Sequence, residues 1–241
     1  MRSKFVRMTI GSILVSFSAM SEEVKAPGAG KRPYDGTRRR LKAEATRRAV
    51  LEAARELFVQ QGYTATTIAD IATRAGVASD TVYAAVGRKP VLLRELVETS
   101  LSGSDHAVPA EQRDYVQQIR AAPEAYEKLT TYARAVTQIQ QRLAPVFLAL
   151  RDAATTDHDC AALWVEISER RARNMRDLAA DLRTTGQLRA DLSDDEVADI
   201  IWSMNAAEYY VLLVHQRGWE PTRFTQWLTD AWSRTLLTPP S

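Results

Sequence analysis

From about Arg38 onward, apolar residues recur at helical spacing, and no stretch alternates with the period of two that marks a half-buried strand. Val50, Ala53, Ala54, Leu57 and Phe58 fall at i, i+3, i+4, i+7 and i+8 and paint one face of a first helix. Gly62 ends it, because glycine takes a positive φ without steric cost. Thr66 or Thr67 can cap a short second helix whose Ile68, Ile71 and Ala72 face inward. Ala75-Gly76-Val77 is a tight break, after which Ser79 or Asp80 opens a third short helix running to about Ala85. Gly87-Arg88-Lys89-Pro90 breaks the chain again. Pro90 suits the first turn of a longer helix carrying Val91, Leu92, Leu93, Leu96 and Val97.

Residues 104–123 read as a polar loop containing Pro109 and Pro123. Helices are then expected near 123–141, 143–154, 159–185, 193–217 and 221–237. Gly186 closes the long one, Ser193 followed by Glu196 is a capping-box pattern, Gly218 closes the next, and Pro221 starts the last. The expected fold is all-α, with about nine helices. In the helix 193–217 apolar residues run nearly all round. Val197, Ile200, Ile201, Met204, Val211 and Leu212 define one side, while Trp202, Tyr209 and Leu213 lie off it. The last helix carries Phe224, Trp227, Leu228, Ala231 and Trp232 on one stripe. Such helices are either central in their own domain or shared with a second copy. The candidate shared face is Tyr209, Leu213, Phe224, Trp227, Leu228 and Trp232.

Composition narrows the classes. With 45% apolar and 26% charged residues over 241 positions, the chain can bury a core without staples. The single cysteine, Cys160, forms no intrachain disulfide, and no Cys/His cluster has zinc spacing. Asp157-His158-Asp159-Cys160 reads better as a capped helix start than as a metal site, since four consecutive helical positions cannot converge on one ion. No metal and no cofactor are expected. No apolar run reaches the roughly 18 residues of a membrane span. Met1 to Met20 superficially resemble a secretory signal, but the apolar stretch is short and broken by Gly11, Ser12, Ser16 and Ser18. A cytoplasmic protein is expected, with translation starting at Met8 or Met20 as one explanation of the leader.

Net charge is +2, but its distribution is uneven. Residues 31–95 carry 13 basic and seven acidic side chains, whereas residues 96–241 carry 15 basic and 21 acidic. The excess is concentrated in 31–48, at Lys31, Arg32, Arg38, Arg39, Arg40, Lys42, Arg47 and Arg48. This is either a solvated arm or the footprint of a polyanion binder. Two short helices joined by a glycine-containing turn form a helix-turn-helix, which sets its second helix in the major groove of DNA.

Over residues 46–98 the chain resembles the DNA-binding domain of the tetracycline-repressor (TetR) family. The resemblance is carried by Arg48, Ala53-Ala54, Leu57-Phe58, Gly62-Tyr63, Thr66-Thr67-Ile68, Ile71-Ala72, Ala75-Gly76-Val77-Ala78, Thr81-Val82-Tyr83, Lys89 and Leu92. It departs at Val86, where the family usually has an aromatic residue. The resemblance implies a leader and basic arm over 1–37 and a three-helix DNA-binding domain over 38–89. A helical domain for effector binding and dimerisation would fill 90–241. Thr66 and Thr67 sit where a helix N-terminus attracts phosphate, though simple capping would also explain them. Tyr83 and Lys89 resemble the family's backbone-contacting pair, with a core tyrosine as the alternative for Tyr83. Ser79, Asp80 and Thr81 are the candidate base readers, and Ser79 or Asp80 could instead cap. Arg38, Arg39, Arg40 and Arg48 are candidate phosphate or minor-groove contacts.

In the family the middle helices enclose an effector pocket. The candidate walls here are Tyr132, Phe147, Leu150, Trp164, Ile167, Met175, Trp202, Met204 and Tyr209, with Arg151 and Asn205 as polar anchors, although plain core positions would look the same. The expected function is a ligand-responsive transcriptional repressor that binds a palindromic site on double-stranded DNA as a homodimer. Its effector is expected to be small and apolar or aromatic. The competing readings are an architectural DNA binder without effector and a hydrolase using His158 or His215. No nucleophile elbow, phosphate-binding glycine loop or metal-ligand spacing supports the enzyme, so no enzymatic activity is expected and no membrane partner.

Overall fold

A computed structural model describes residues 36–239. The described chain runs α1 (Gly36–Gln61), α2 (Ile68–Ala75), α3 (Ser79–Ala85), α4 (Lys89–Ser102), α5 (Asp114–Ala121), α6 (Ala125–Ala153), α7 (His158–Arg183), α8 (Asp194–Met204), α9 (Ala207–Tyr210) and α10 (Pro221–Leu236). There are thus ten α-helices among the described residues, and no named strand; a lone bridge pairs Leu188 with Leu237. Thr37–Ser241 forms one compact unit. The expected leader through Asp35, with Lys31 and Arg32 of the basic stretch, lies outside the described residues.

Local signals set most boundaries. Thr67 caps α2 by accepting from the Asp70 N–H at 3.1 Å, and the Asp70 carboxylate accepts in return from the Thr67 N–H at 2.9 Å. Gly76 stops α2 in the left-handed region, at φ 68°, and its N–H reaches the Ala72 and Thr73 carbonyls. Ser193 and Glu196 form the expected capping box on α8. α1 to α3 close around Phe58, Ile71 and Val82, all essentially without exposure. α6 is the central element of the remainder and packs against α4, α5, α7, α9 and α10.

Three stretches depart from the sequence reading. The expected break near residue 142 is absent, and α6 continues through Pro145 to Ala153. Proline removes one helical bond, but Ala144, Val146, Phe147 and Leu150 around it are buried, so tertiary packing holds the helix together. In the turn that Pro145 disturbs, the Arg142 carbonyl accepts from the Arg55 guanidinium of α1. The loop 104–123 contains a single 3-10 turn (Ala110–Gln112) and α5, whose Ile119 anchors it to the core. The expected helix 193–217 is broken at Asn205-Ala206, with a bend of 43°. No glycine or proline marks this break. The Asn205 carbonyl is taken by the Gln140 side-chain amide at 2.7 Å, a bond from α6 that no local pattern reveals. After α9 the chain widens into a π-type turn over Val211–Gln216, closed by Arg217 N–H to Leu212 O at 3.1 Å.

Candidate functional site

α3 is only seven residues long, and it is held from one side by Val82, which has no exposure. Its N-cap is Ala78, so Ser79 and Asp80 lie inside the first turn and neither caps the helix. Asp80 and Ala84 are exposed, Ser79 and Thr81 are half-buried, and Tyr83 stands 51% exposed, which removes its alternative as a core residue. A short helix therefore presents hydroxyl, carboxylate and phenol groups on one outward face.

The surrounding candidates divide. Thr67 is exposed at the N-terminus of α2, but the Asp70 carboxylate already occupies part of that positive pole. Hydrogen bonds from Thr67 hold Asp70 below the usual carboxylate range. Thr66 is a correction: it has no exposure, and its hydroxyl donates to the Gly62 carbonyl at 2.8 Å, so it braces the turn and cannot reach a phosphate. Lys89 is a second correction. Its ammonium donates to the Tyr63 and Thr66 carbonyls at 2.8 and 2.9 Å and lies 4.0 Å from the Tyr63 ring centroid, pointing into the fold. Burial pulls its pKa below the ordinary lysine range. Tyr63 in turn donates to Asp157 at 3.0 Å, linking the α1–α2 turn to the start of α7.

Residues 36–45 of α1 form an exposed helical stretch carrying Arg38, Arg39, Arg40 and Lys42. No acidic residue sits in its first turn. Basic groups at a helix N-terminus oppose the helix dipole. Arg48 is exposed and pairs with Asp105 at 3.0 Å.

A cavity of about 760 Å³ lies among α4, α5, α6 and α7 and reaches the end of α8. Of the expected wall residues, Tyr132, Phe147, Ile167, Met175 and Asn205 line it. The others do not. Leu150 is fully buried elsewhere in the core, and Arg151 pairs with Glu208 at 3.2 Å. Trp164 packs on Phe147 with ring centroids 4.6 Å apart. Trp202 sits under the Arg171 guanidinium at 4.3 Å, and Tyr209 stacks on Trp227 at 5.7 Å. Met204 is half-buried against the core and contributes no wall.

At one end of the cavity the Tyr132 hydroxyl donates to the Met175 sulfur at 3.2 Å and accepts from Asn205 at 2.8 Å, and its ring stacks on Trp232 at 5.5 Å. Burial pushes the Tyr132 phenol up, so it stays neutral. The wall facing α4 is braced to α7 by two ion pairs. Arg94 grips Glu166 bidentately at 2.9 and 2.7 Å, and Arg170 meets Glu98 at 2.7 Å. Lys128 is paired with Asp181 at 2.8 Å, whereas Arg113 donates to the Val108 carbonyl at 3.1 Å. Gln140 and Arg171 also line the cavity and were not among the sequence candidates. A signal existed. Gln140 interrupts the stripe Leu129, Tyr132, Val136, Leu143, Phe147, and Arg171 interrupts Ile167, Met175, Leu178, Leu182. Each is a polar group on an otherwise apolar helical face.

On the last two helical segments the expected shared face is also revised. Phe224, Leu228 and Trp232 have no exposure and belong to this chain's own core. Tyr209 at 38% and Leu212 at 48% are exposed, while Leu213, Trp219 and Trp227 are half-buried.

Residues 50–96, which hold the helix-turn-helix just described, match the family model of bacterial regulatory proteins of the tetR family. They are a tetR-family domain. Solved structures extend the likeness across the fold. NalD, the secondary repressor of the MexAB-OprM multidrug efflux pump in Pseudomonas aeruginosa, matches with TM-score 0.66 at 20% identity, covering 83% of this chain and 100% of its own. A SmeT–triclosan complex matches with TM-score 0.63 at 17% identity, covering 80% and 92%. A transcriptional regulator from Saccharomonospora viridis in complex with choline matches with TM-score 0.60 at 20% identity, covering 80% and 98%. At these identities the likeness is one of fold: a helical body follows the tetR-family domain, as it does in those structures. No curated protein matches the sequence.

Proposed function

We propose that the chain is a ligand-responsive transcriptional repressor that binds a palindromic operator as a homodimer. Residues 38–89 would contact DNA, and residues 90–241 would bind the effector and pair the subunits. The observation that carries this reading is the outward polar face of α3, whose Ser79, Asp80, Thr81 and Tyr83 are spent neither on capping nor on the core. Asp80 would accept from a cytosine amino group, Thr81 would touch a thymine methyl, and Tyr83 would hold the backbone. Arg38, Arg39 and Arg40 gather at the positive pole of α1, an arrangement that a phosphate would relieve.

A response to ligand is supported by the cavity, one wall of which is tied to α4, the helix that follows the tetR-family domain's recognition helix. A ligand that favours one α4 position would change the spacing of two paired recognition helices, which need centres about 34–36 Å apart to meet successive major grooves. The solved relatives described with triclosan and with choline carry small molecules. Pairing would use Tyr209, Leu212, Leu213, Trp219 and Trp227. The test is selection of bound sites from random DNA with the purified protein. A palindrome with fixed half-site spacing supports the reading; sequence-indifferent binding would sink it and favour an architectural role, against which the cavity already argues.

A further inference from the structure

The cavity's polar atoms are not all satisfied. Gln140 is 5% exposed, and its side-chain N–H donates to the Asn205 carbonyl, which fixes the amide's orientation because a carbonyl can only accept. That leaves Gln140 Oε1 buried and without a hydrogen-bond donor. Asn205, 3% exposed, likewise has its Oδ1 unbonded. Arg171 stacks on Trp202 and has a buried Nε with no acceptor, and it forms no ion pair among the described residues. Glu208, which acts on Arg171 electrostatically, is itself engaged by Arg151 at 3.2 Å. The arginines of the α4-facing wall are neutralised by Glu166 and Glu98. Arg171 as a whole is half-buried, and a partly desolvated cation without a counter-ion is stabilised when a ligand supplies the opposite charge.

We propose that the cavity takes an organic carboxylate with an apolar, ring-sized body, its anionic group pairing with Arg171 and a hydroxyl or amide N–H of the same molecule donating to Gln140 Oε1. The inference deepens the reading of this cavity as the effector site. With the Arg94–Glu166, Arg170–Glu98 and Lys128–Asp181 pairs set aside, the lining holds Arg113, Arg120 and Arg171 against Glu111 and Asp177, an excess of one positive charge that favours a monoanion over a phosphate dianion. Tyr132, Val136, Leu143, Phe147 and Ile167 supply the apolar surface for the body. The volume, about 760 Å³, lies within the range of small-molecule sites. Both Arg171 and Arg113 act on Tyr132 and pull its phenol down against the effect of burial, so the positive field converges on the Tyr132 end of the cavity.

The test is calorimetric titration of the full-length protein with phenylpropionate, hydroxyphenylpropionate and decanoate, each against its primary amide, and with a phenylalkyl ammonium ion. Carboxylates should bind at least ~10-fold more tightly than their amides. In Arg171→Met that preference should vanish while amide binding persists, and Arg171→Lys should restore part of it. Hydroxyphenylpropionate should lose its advantage over phenylpropionate in Gln140→Leu. Thermal unfolding of Arg171→Met should occur at or above the wild-type midpoint, since an unpaired, half-buried charge is removed. Equal binding of acid and amide, tighter binding of the ammonium ion, a preference that survives Arg171→Met, or no binding by any carboxylate would each overturn the proposal. Release of operator DNA is measured separately: Arg171-dependent binding that leaves DNA affinity unchanged would uphold the carboxylate site and sink only the regulatory reading.

Discussion

Lys89, Tyr63 and Cys160 show how side chains at the junction of the tetR-family domain and α7 are spent on architecture. Lys89 donates to two carbonyls of the α1–α2 turn, those of Thr66 and of Tyr63, the second of which also accepts from the Thr66 N–H at 3.2 Å. Hydrogen bonds from a charged donor contribute about 1.5–3 kcal/mol each, and an unsatisfied buried group costs a comparable amount. Lys89→Met should therefore lower unfolding free energy by about 1–3 kcal/mol in urea titrations; an unchanged midpoint would show that water replaces the ammonium without loss. Cys160 is fully buried, and burial pushes its thiol up to about 11. Its folded-state pKa lies above that of a free thiol, so at pH 8 it stays protonated and enclosed. Iodoacetamide should label it slowly in the native protein and quickly in urea. Fast native labelling at pH 8 would mean that this junction opens readily.

α3 and the broken C-terminal helix behave in opposite ways. α3 is short, and its outer face is free of internal work. Asp80→Ala should thus alter which base pairs are preferred at one position of the half-site by a factor equivalent to about 1–3 kcal/mol, leaving affinity for non-specific DNA little changed. A uniform loss over all sites, read by binding to a library of single-base variants, would reassign Asp80 to general positioning. The break between α8 and α9 instead depends on a single side chain from elsewhere. Gln140 takes the last carbonyl before the bend, so the same residue shapes the helix and lines the cavity.

For the whole molecule, two surfaces carry the proposed binding to DNA and to a second copy. The N-terminal turns of α1 expose Arg38, Arg39 and Arg40 beyond the folded core. Each phosphate neutralised contributes a slope of about 0.9 in the dependence of binding on salt. Replacing the three arginines by alanine should reduce that slope by about 2–3; an unchanged slope would remove the arm from the interface. At the other end, Tyr209, Leu212 and Trp227 form the exposed aromatic and aliphatic strip of α9, the π-type turn and α10. Leu212→Glu combined with Trp227→Glu should convert the protein to monomers in sedimentation analysis and weaken operator binding. Dimers that persist would place the contact elsewhere.

The sequence by itself determined what depends on neighbours within a few residues. The helix-turn-helix was legible because its signals are local: an amphipathic stripe on α1, the Thr67–Asp70 cap, the stop at Gly76 and the spacing to Tyr83. Tertiary structure alone decided what depends on partners far along the chain. Pro145 sits inside α6 because buried contacts on both sides outweigh one lost helical bond. The helix 193–217 breaks because Gln140, 65 residues before Asn205, offers an alternative donor. Lys89 turns inward for the same reason, being drawn to carbonyls 23 and 26 residues away. Phe224, Leu228 and Trp232 share a stripe with Trp227, but only packing against α6, α8 and the π-type turn separates core from surface on that stripe. Periodicity records that a face is buried, and it is silent on which surface, or which molecule, does the burying.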